Sequence, residues 1–123
     1  MGGIKTLAMV LAPFAAQAQA QPLSEAFASC AGRYSAELEH AWLLNDDRSV
    51  EFEHRLHQFA DLVKATALQG DLRNLLNLRI ETKLAHAGLL TQATFATDTE
   101  LSDWAEARAA SAINFCADFL LDS

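Results

Sequence analysis

Hydrophobic positions recur every three or four residues from Leu23 onward, which is typical of amphipathic α-helices. No segment shows the sustained two-residue alternation that indicates a β-strand, and Ala, Leu, Glu and Gln, all good helix formers, are abundant. The first predicted helix carries a core-spaced series: Leu23, Phe27, Ala31, Tyr34, Leu38 and Ala41. We predict four helices, at about residues 23–44, 50–69, 72–90 and 97–121.

The breaks between these helices contain residues that favour turns and helix caps. The first break, residues 45–49, is Asn-Asp-Asp-Arg-Ser. In the second, Gly70 suits a C-terminal cap and Asp71 an N-cap. The segment Thr-Asp-Thr-Glu at residues 97–100 fits a capping box that opens the fourth helix.

The two cysteines constrain how many helices there are. Cys30 lies about seven residues into the first helix and Cys116 about seven residues before the chain end, so each is roughly 10 Å from its end. In a three-helix bundle the first and last helices would be parallel, and the cysteines would be too far apart to bond. We therefore predict an all-α, antiparallel, up-down-up-down four-helix bundle with a disulfide joining helices 1 and 4.

The N-terminal 20 residues have the pattern of a secretory signal peptide. Lys5 precedes an apolar run over residues 6–16, and Ala18 and Ala20 supply the small residues of a cleavage site. The run is shorter than the roughly 20 residues that span a bilayer, which disfavours a membrane anchor. A lipoprotein site at Cys30 is disfavoured by the polar stretch before it. We predict cleavage after Ala20, a mature helical domain over residues 21–123, and a periplasmic or secreted location without membrane attachment.

The net charge of the chain makes some classes of binding partner unfavourable. The 123-residue chain has nine Lys plus Arg and sixteen Asp plus Glu, a formal net charge of −7. Removal of residues 1–20 takes away one base, Lys5, and no acid, so the mature chain carries −8. Nucleic acids and anionic membrane surfaces are poor partners for such a chain, because phosphate contacts need clustered Lys and Arg.

Glu37 and Arg108 are predicted to form a structural ion pair. If Cys30 faces Cys116, residue i of the first helix lies level with about residue 146 − i of the fourth. Glu37 then lies level with Arg108, which the hydrophobic pattern places on the apolar face of the fourth helix. A charge on that face needs a partner, and the pair would fix the helix register.

Two Glu-x-x-His patterns, Glu37–His40 and Glu51–His54, have the spacing of ligands in di-iron carboxylate bundles. The helical wheel argues against a metal site. His40 lies about 140° from the core direction of its helix and His54 about 160° from that of Phe52, so both should face solvent. We expect no metal and no cofactor.

The third helix carries a basic stripe between two apolar stripes. Arg79, Lys83 and His86 are the basic residues. One apolar stripe contains Leu76, Ile80, Leu84 and Ala87, and the other contains Leu75, Leu78, Ala85 and Leu89. In one interpretation both apolar stripes contact neighbouring helices, and the basic residues are solvated or paired with acids of helices 2 and 4. In the other, Leu75, Leu78 and Leu89 meet a second copy or a partner helix, and the basic stripe contacts an anion.

Two stretches and a cysteine resemble small exported proteins of Gram-negative bacteria. They are Cys30-Ala31-Gly32-Arg33-Tyr34-Ser35-Ala36-Glu37, Arg79-Ile80-Glu81-Thr82-Lys83 and Cys116. The resemblance covers most of the mature chain. It implies export and a helical fold, and it does not point to any particular activity.

No common catalytic signature is present. The sequence contains no G-x-S-x-G, S-x-x-K, H-E-x-x-H, P-loop or Rossmann glycine pattern. The first functional hypothesis is therefore a non-enzymatic periplasmic module that binds a protein partner or forms a homodimer. The alternative is a carrier of a metal or small ligand that uses the Glu-x-x-His pairs or the basic stripe.

Overall fold

The structure, a computed structural model, describes residues 23–121, and all regular structure within that range is helical. The helices are α1 (Leu23–Leu43), α2 (Ser49–Thr66), α3 (Leu72–Phe95) and α4 (Thr99–Asp118). The predicted signal segment, residues 1–20, lies outside the described residues. The four-helix, all-α prediction is confirmed.

Helix α1 is the central element of the bundle. It packs antiparallel to α2 on one side and parallel to α3 on the other, and α4 packs antiparallel against α3. The contacts show these directions: Phe27 of α1 meets Phe59 of α2, whereas Glu37 of α1 meets His86 of α3. The order is therefore up-down-up-down, as predicted.

The Cys30–Cys116 disulfide joins α1 to α4, with the two Cα atoms 5.5 Å apart. One end of the α1–α4 seam is fixed by this bond. Further along the seam, Ala36 and Ala109 are buried in one small apolar cluster with Leu90 of α3. This cluster agrees with the predicted antiparallel register between α1 and α4, in which residue 36 lies level with about residue 110.

An aromatic core fills the space between α1 and α2. Tyr34 stacks on Phe59 with ring centroids 5.7 Å apart, and Phe119 meets Phe27 edge-on at 5.3 Å. Apart from Leu23, which is exposed, the predicted core residues of the first helix are buried: Phe27, Ala31, Tyr34, Leu38 and Ala41. Offset and edge-to-face rings add to the burial of apolar area, so this cluster anchors α2 on α1.

A second buried face of α1 consists only of small residues. Ser24, Ala28, Gly32 and Ala36 repeat every four residues and are all buried. A Cβ atom on Gly32 would clash with the backbone carbonyl of Arg79 and lie 3.0 Å from the backbone nitrogen of Lys83. The small side chains therefore let the backbones of α1 and α3 approach closely.

The helix ends differ in detail from the sequence prediction. Helix α2 ends at Thr66, and Ala67 is already extended, so Gly70 is not its cap. The side chain of Asp71 makes no capping hydrogen bond, whereas Asp98 accepts hydrogen bonds from the backbone nitrogens of the next helix's first turn. In the first break, Asn45 takes a left-handed conformation, φ 55°, which Asn tolerates better than most residues.

None of the four described helices combines the length and the apolarity that crossing a membrane requires.

Candidate functional site

A groove of about 630 Å³ opens between α1, α3 and α4. We call it the three-helix groove. Its lining includes Arg33 of α1, His86 and Leu89 of α3, and Trp104 and Arg108 of α4. The volume falls within the range of small-molecule sites, about 300–1,000 Å³.

Arg33 is half-buried at one side of the groove and has no carboxylate partner. Its Nη1 donates to the Cys116 sulfur at 3.4 Å, and its guanidinium lies over the Phe115 ring, 5.8 Å from the centroid. A disulfide sulfur is a weak acceptor, so most of the five N–H donors of the guanidinium are left for another group. Burial lowers the pKa of Arg33, yet an arginine remains charged at neutral pH.

The wall of the groove that α4 forms is aromatic and cationic. Trp104 and Phe115 are both exposed, and Arg108 lies on the same wall without an ion pair. No Asp or Glu lines the groove, although the whole chain has sixteen acids against nine bases. The groove is therefore locally positive in an acidic protein.

The predicted basic stripe of the third helix faces acids of α1. His86 is buried, with Nε2 3.1 Å from Glu37 Oε1, and Lys83 Nζ lies 2.7 Å from Glu39 Oε2. Pairing with acids was one of the predicted alternatives, but those acids belong to α1 and not to helices 2 and 4. Two of the three basic residues thus already contact a carboxylate within the fold, and only Arg79 lacks such a contact.

The predicted Glu37–Arg108 ion pair does not form. Glu37 contacts His86, and Arg108 is exposed on the groove wall. The predicted level of Glu37 along the bundle axis is correct, because its neighbour Ala36 is buried in the same apolar cluster as Ala109 of α4. The direction is wrong, because Glu37 points toward α3 and not toward α4.

The exposed apolar stripe of α3 is not the one that the partner-binding interpretation named. Leu75 is buried, and Leu78 and Leu89 are partly buried, so these three residues are not a free surface. Four other residues each keep 47–66% of their surface accessible, and we call them the α3 outer face: Leu72, Leu76, Ile80 and Leu84. At a rise of about 1.5 Å per residue this face is about 18 Å long.

The outer face continues into a shallow cleft between α2 and α3. This cleft, about 170 Å³, has Ala28 of α1 on its floor and Val63 and Leu76 on its sides. Lys64 and Arg79 also line it. The cleft exists because α2 and α3 both pack on α1 while barely touching one another.

Basic residues without ion pairs concentrate at these two surfaces. Within residues 23–121, the Lys and Arg side chains that make no ion pair are Arg33, Lys64, Arg73, Arg79 and Arg108. Arg33 and Arg108 line the three-helix groove, and Lys64 and Arg79 line the cleft. Arg73, seven residues before Ile80, lies on the side of α3 that carries the outer face.

The two Glu-x-x-His patterns are not brought together. Glu51 pairs with Arg55 at 2.9 Å, and His54 is exposed. His40 is hydrogen-bonded to Thr94 at 2.9 Å. Within the described range, no group of three or more His, Cys, Asp or Glu side chains is arranged to hold a metal ion.

Arg33 is not among the predicted site residues, although the sequence contains a signal for it. Arg33 follows Cys30 by three residues, so it lies one turn further along nearly the same face of α1. Since Cys30 faces α4, Arg33 must also lie near α4. The predicted disulfide, together with the helical spacing, therefore implies that Arg33 lies near α4.

Comparison of the chain with protein-family models, with curated proteins and with solved structures finds no match.

Proposed function

We propose that this protein is a non-enzymatic, exported helical module that binds a protein partner through the α3 outer face. One observation carries the proposal: an exposed apolar line along α3 is flanked by cations that have no partner in the fold. Contiguous exposed apolar surface of this kind is typical of interaction sites.

The expected partner segment is an amphipathic helix with apolar residues on one face and acids at its edges. The apolar residues would lie on Leu76 and Ile80 and extend toward the α2–α3 cleft. The acids would pair with Arg73, Arg79 and Lys64. Helix-in-groove recognition uses this combination of spaced apolar anchors and a charged rim.

Charge argues against the same face of a second copy as the occupant. A face-to-face contact between two copies would bring the cations of one rim near those of the other, which is unfavourable. The net charge, −7 for the full chain and −8 without residues 1–20, adds a general repulsion between copies. Self-association through this face is therefore the competing result in the test.

Designed peptide helices test the proposal directly. One probe carries leucines at i, i+4 and i+8 with flanking glutamates, and its matched control replaces those glutamates with lysines. We expect binding of the glutamate peptide, measured by calorimetry, and at least about tenfold weaker binding of the lysine peptide. Equal affinities for the two peptides contradict the proposal.

A pair of variants locates the binding face. Ile80→Asn removes apolar surface from the α3 outer face without adding charge, and it should weaken binding of the glutamate peptide. Val50→Asn, at an exposed position near the start of α2, should not. Light scattering over a range of concentrations is the second readout. If the wild-type protein is a dimer and Ile80→Asn converts it to a monomer, the α3 outer face serves self-association and not partner binding.

Export is proposed from the predicted signal segment, and the Cys30–Cys116 disulfide supports it, because such bonds persist in oxidising compartments. Expression of the full sequence in a Gram-negative host, followed by cell fractionation and intact-mass measurement, tests this part. The expected product is periplasmic, lacks residues 1–20 and has no free thiol. A cytoplasmic product of full mass would exclude it.

A further inference from the structure

We infer that the three-helix groove is a binding site for a small organic anion, a carboxylate attached to an apolar body. This site is separate from the α3 outer face, and the inference does not rest on the proposed function. The groove combines two cations that lack ion pairs, Arg33 and Arg108, with apolar walls in which Trp104 and Phe115 are exposed.

The charge of the ligand follows from Arg33. A half-buried guanidinium loses part of its hydration, and the fold gives it only a weak sulfur acceptor and an aromatic face in return. The planar guanidinium matches a carboxylate, which accepts two of its N–H groups at once. Because no acid lines the groove, nothing within it competes with an incoming anion.

The apolar part of the ligand follows from the walls. Leu89, Ala85 and Ala112 line the groove together with the two aromatic rings. An inorganic anion would leave this surface in water, whereas an alkyl or aryl body would cover it. Arg108, on the exposed wall, adds a second positive charge to the groove and so favours the same anionic ligand.

Two links between helices fix the surroundings of Arg33. The disulfide that Arg33 contacts fixes α1 to α4, and the hydrogen bond between the buried His86 and Glu37 links α1 to α3 beside the groove. The cation therefore lies where α1 and α4 are joined, and binding requires little ordering of the protein. Such pre-organisation lowers the entropy cost of association.

Octanoate, octanol and octylamine test this site, because they share one apolar body and differ in the head group. Trp104 lies in the groove, so its fluorescence reports binding once the other tryptophan is removed by Trp42→Phe. At neutral pH we expect saturable binding of octanoate. Octanol should bind at least about tenfold more weakly, and octylamine should not bind.

Substitutions of the two arginines assign the head-group contact. Arg108→Gln and Arg33→Met should each weaken octanoate binding by about tenfold or more, and each should leave octanol binding unchanged. Arg73→Gln removes an unpaired arginine outside the groove and should not affect octanoate. Since Arg33 touches Phe115 and the disulfide, Arg108→Gln carries the test if Arg33→Met fails to fold.

Three outcomes would overturn the inference. They are no saturable fluorescence change with octanoate, equal affinity for octanoate and octanol, and unchanged octanoate affinity in Arg108→Gln. Loss of octanoate binding in Arg73→Gln would instead place the anion at the α3 outer face.

Discussion

Tyr34 is the residue at which the aromatic core meets a polar group. Its ring is buried and stacks on Phe59, while its hydroxyl accepts a hydrogen bond from Arg55 Nη1 at 3.1 Å. Arg55 in turn pairs with Glu51 on the surface of α2. The phenol thus has its aromatic body in the core and its oxygen at the edge, an arrangement that suits tyrosine.

Tyr34 is predicted to ionise at a higher pH in the folded protein than in the unfolded chain. Burial raises the pKa of Tyr34 above its ordinary value of 10.0, and the opposing effect of the Arg55 hydrogen bond is smaller. Tyr34 is the only tyrosine in the chain, so the ultraviolet absorbance of the phenolate reports it alone. We expect a titration midpoint above that of the same protein in denaturant.

The sign of the linked stability change follows. Above pH 10 the unfolded chain loses the phenol proton more readily than the folded protein does. The free energy of unfolding should therefore fall as the pH rises through this range. A midpoint at or below that of the denatured protein would contradict the prediction.

Glu37 shows how much the sequence determines at the residue scale. The cysteine register correctly predicts its height along the bundle, because antiparallel helices share one rise per residue. Its partner depends on direction, since neighbouring residues of a helix point about 100° apart. Ala36 faces Ala109 and Leu90, and Glu37 turns to His86, so a small error in the assumed orientation exchanged one partner for another.

At the scale of elements, the α1–α3 contact depends on small residues. Gly32 lies where the two backbones come closest, and Ser24, Ala28 and Ala36 extend the same face in both directions. The hydrophobic pattern did not reveal this face, because Ser, Gly and Ala carry little hydrophobic signal. Their contribution is close packing, which only the position of α3 makes visible.

Two glycine substitutions test this contact. Gly32→Ala should lower the free energy of unfolding by about 1–3 kcal/mol, because the new Cβ overlaps backbone atoms of α3, which cannot rotate away as the end of a side chain can. Gly88→Ala is the matched control within α3, since no atom outside its own helix lies within 4 Å of the added Cβ. It should raise stability by up to about 1 kcal/mol, because Ala favours a helix more than Gly does.

Urea denaturation of both variants measures the difference. Equal stability changes for Gly32→Ala and Gly88→Ala would show that the two backbones are further apart than the structure places them.

The orientation and length of α3 could not be predicted from the sequence alone. Apolar residues occur on nearly every side of this helix, so the sequence pattern defines no single core direction. The close approach of α1 decides that Leu75 and His86 face inward and that Leu76 and Ile80 face outward. The helix continues to Phe95, past the predicted end at Leu90. Contacts near its end support the extra turn: Thr94 with His40, and the Ala93 carbonyl oxygen with the Ser102 hydroxyl.

At the scale of the whole molecule, the cysteine positions predicted the topology well. Their spacing required an even number of helices, and residues 23–121 form four, with the first and last joined. The sequence did not predict that the bundle is uneven. Helix α1 packs on both α2 and α3, which barely touch one another, and this opens the α2–α3 cleft. The three-helix groove has another origin, because it lies where α4 packs mainly on α3 and makes few contacts with α1.

The disulfide is the strongest link between α4 and the aromatic core. The side chain of Phe119, three residues after Cys116, packs edge-on against Phe27 and Phe59, although most of α4 lies against α3. Cys30 and Cys116 are 86 residues apart, so the bond closes nearly the whole described chain into one loop. In the chain-entropy model such a loop stabilises the fold by up to about 4.5 kcal/mol.

Reduction should therefore lower the melting temperature markedly, and it should loosen the molecule unevenly. Amide hydrogen exchange should speed up first near Phe115 and Phe119, while the amides around Tyr34 and Phe59 stay protected by the α1–α2 contact. The Cys30→Ala, Cys116→Ala double variant is the control, because its melting temperature should not respond to reductant. If oxidised and reduced wild-type protein melt together, packing alone holds α4 in place, and the groove beside Arg33 does not depend on the bond.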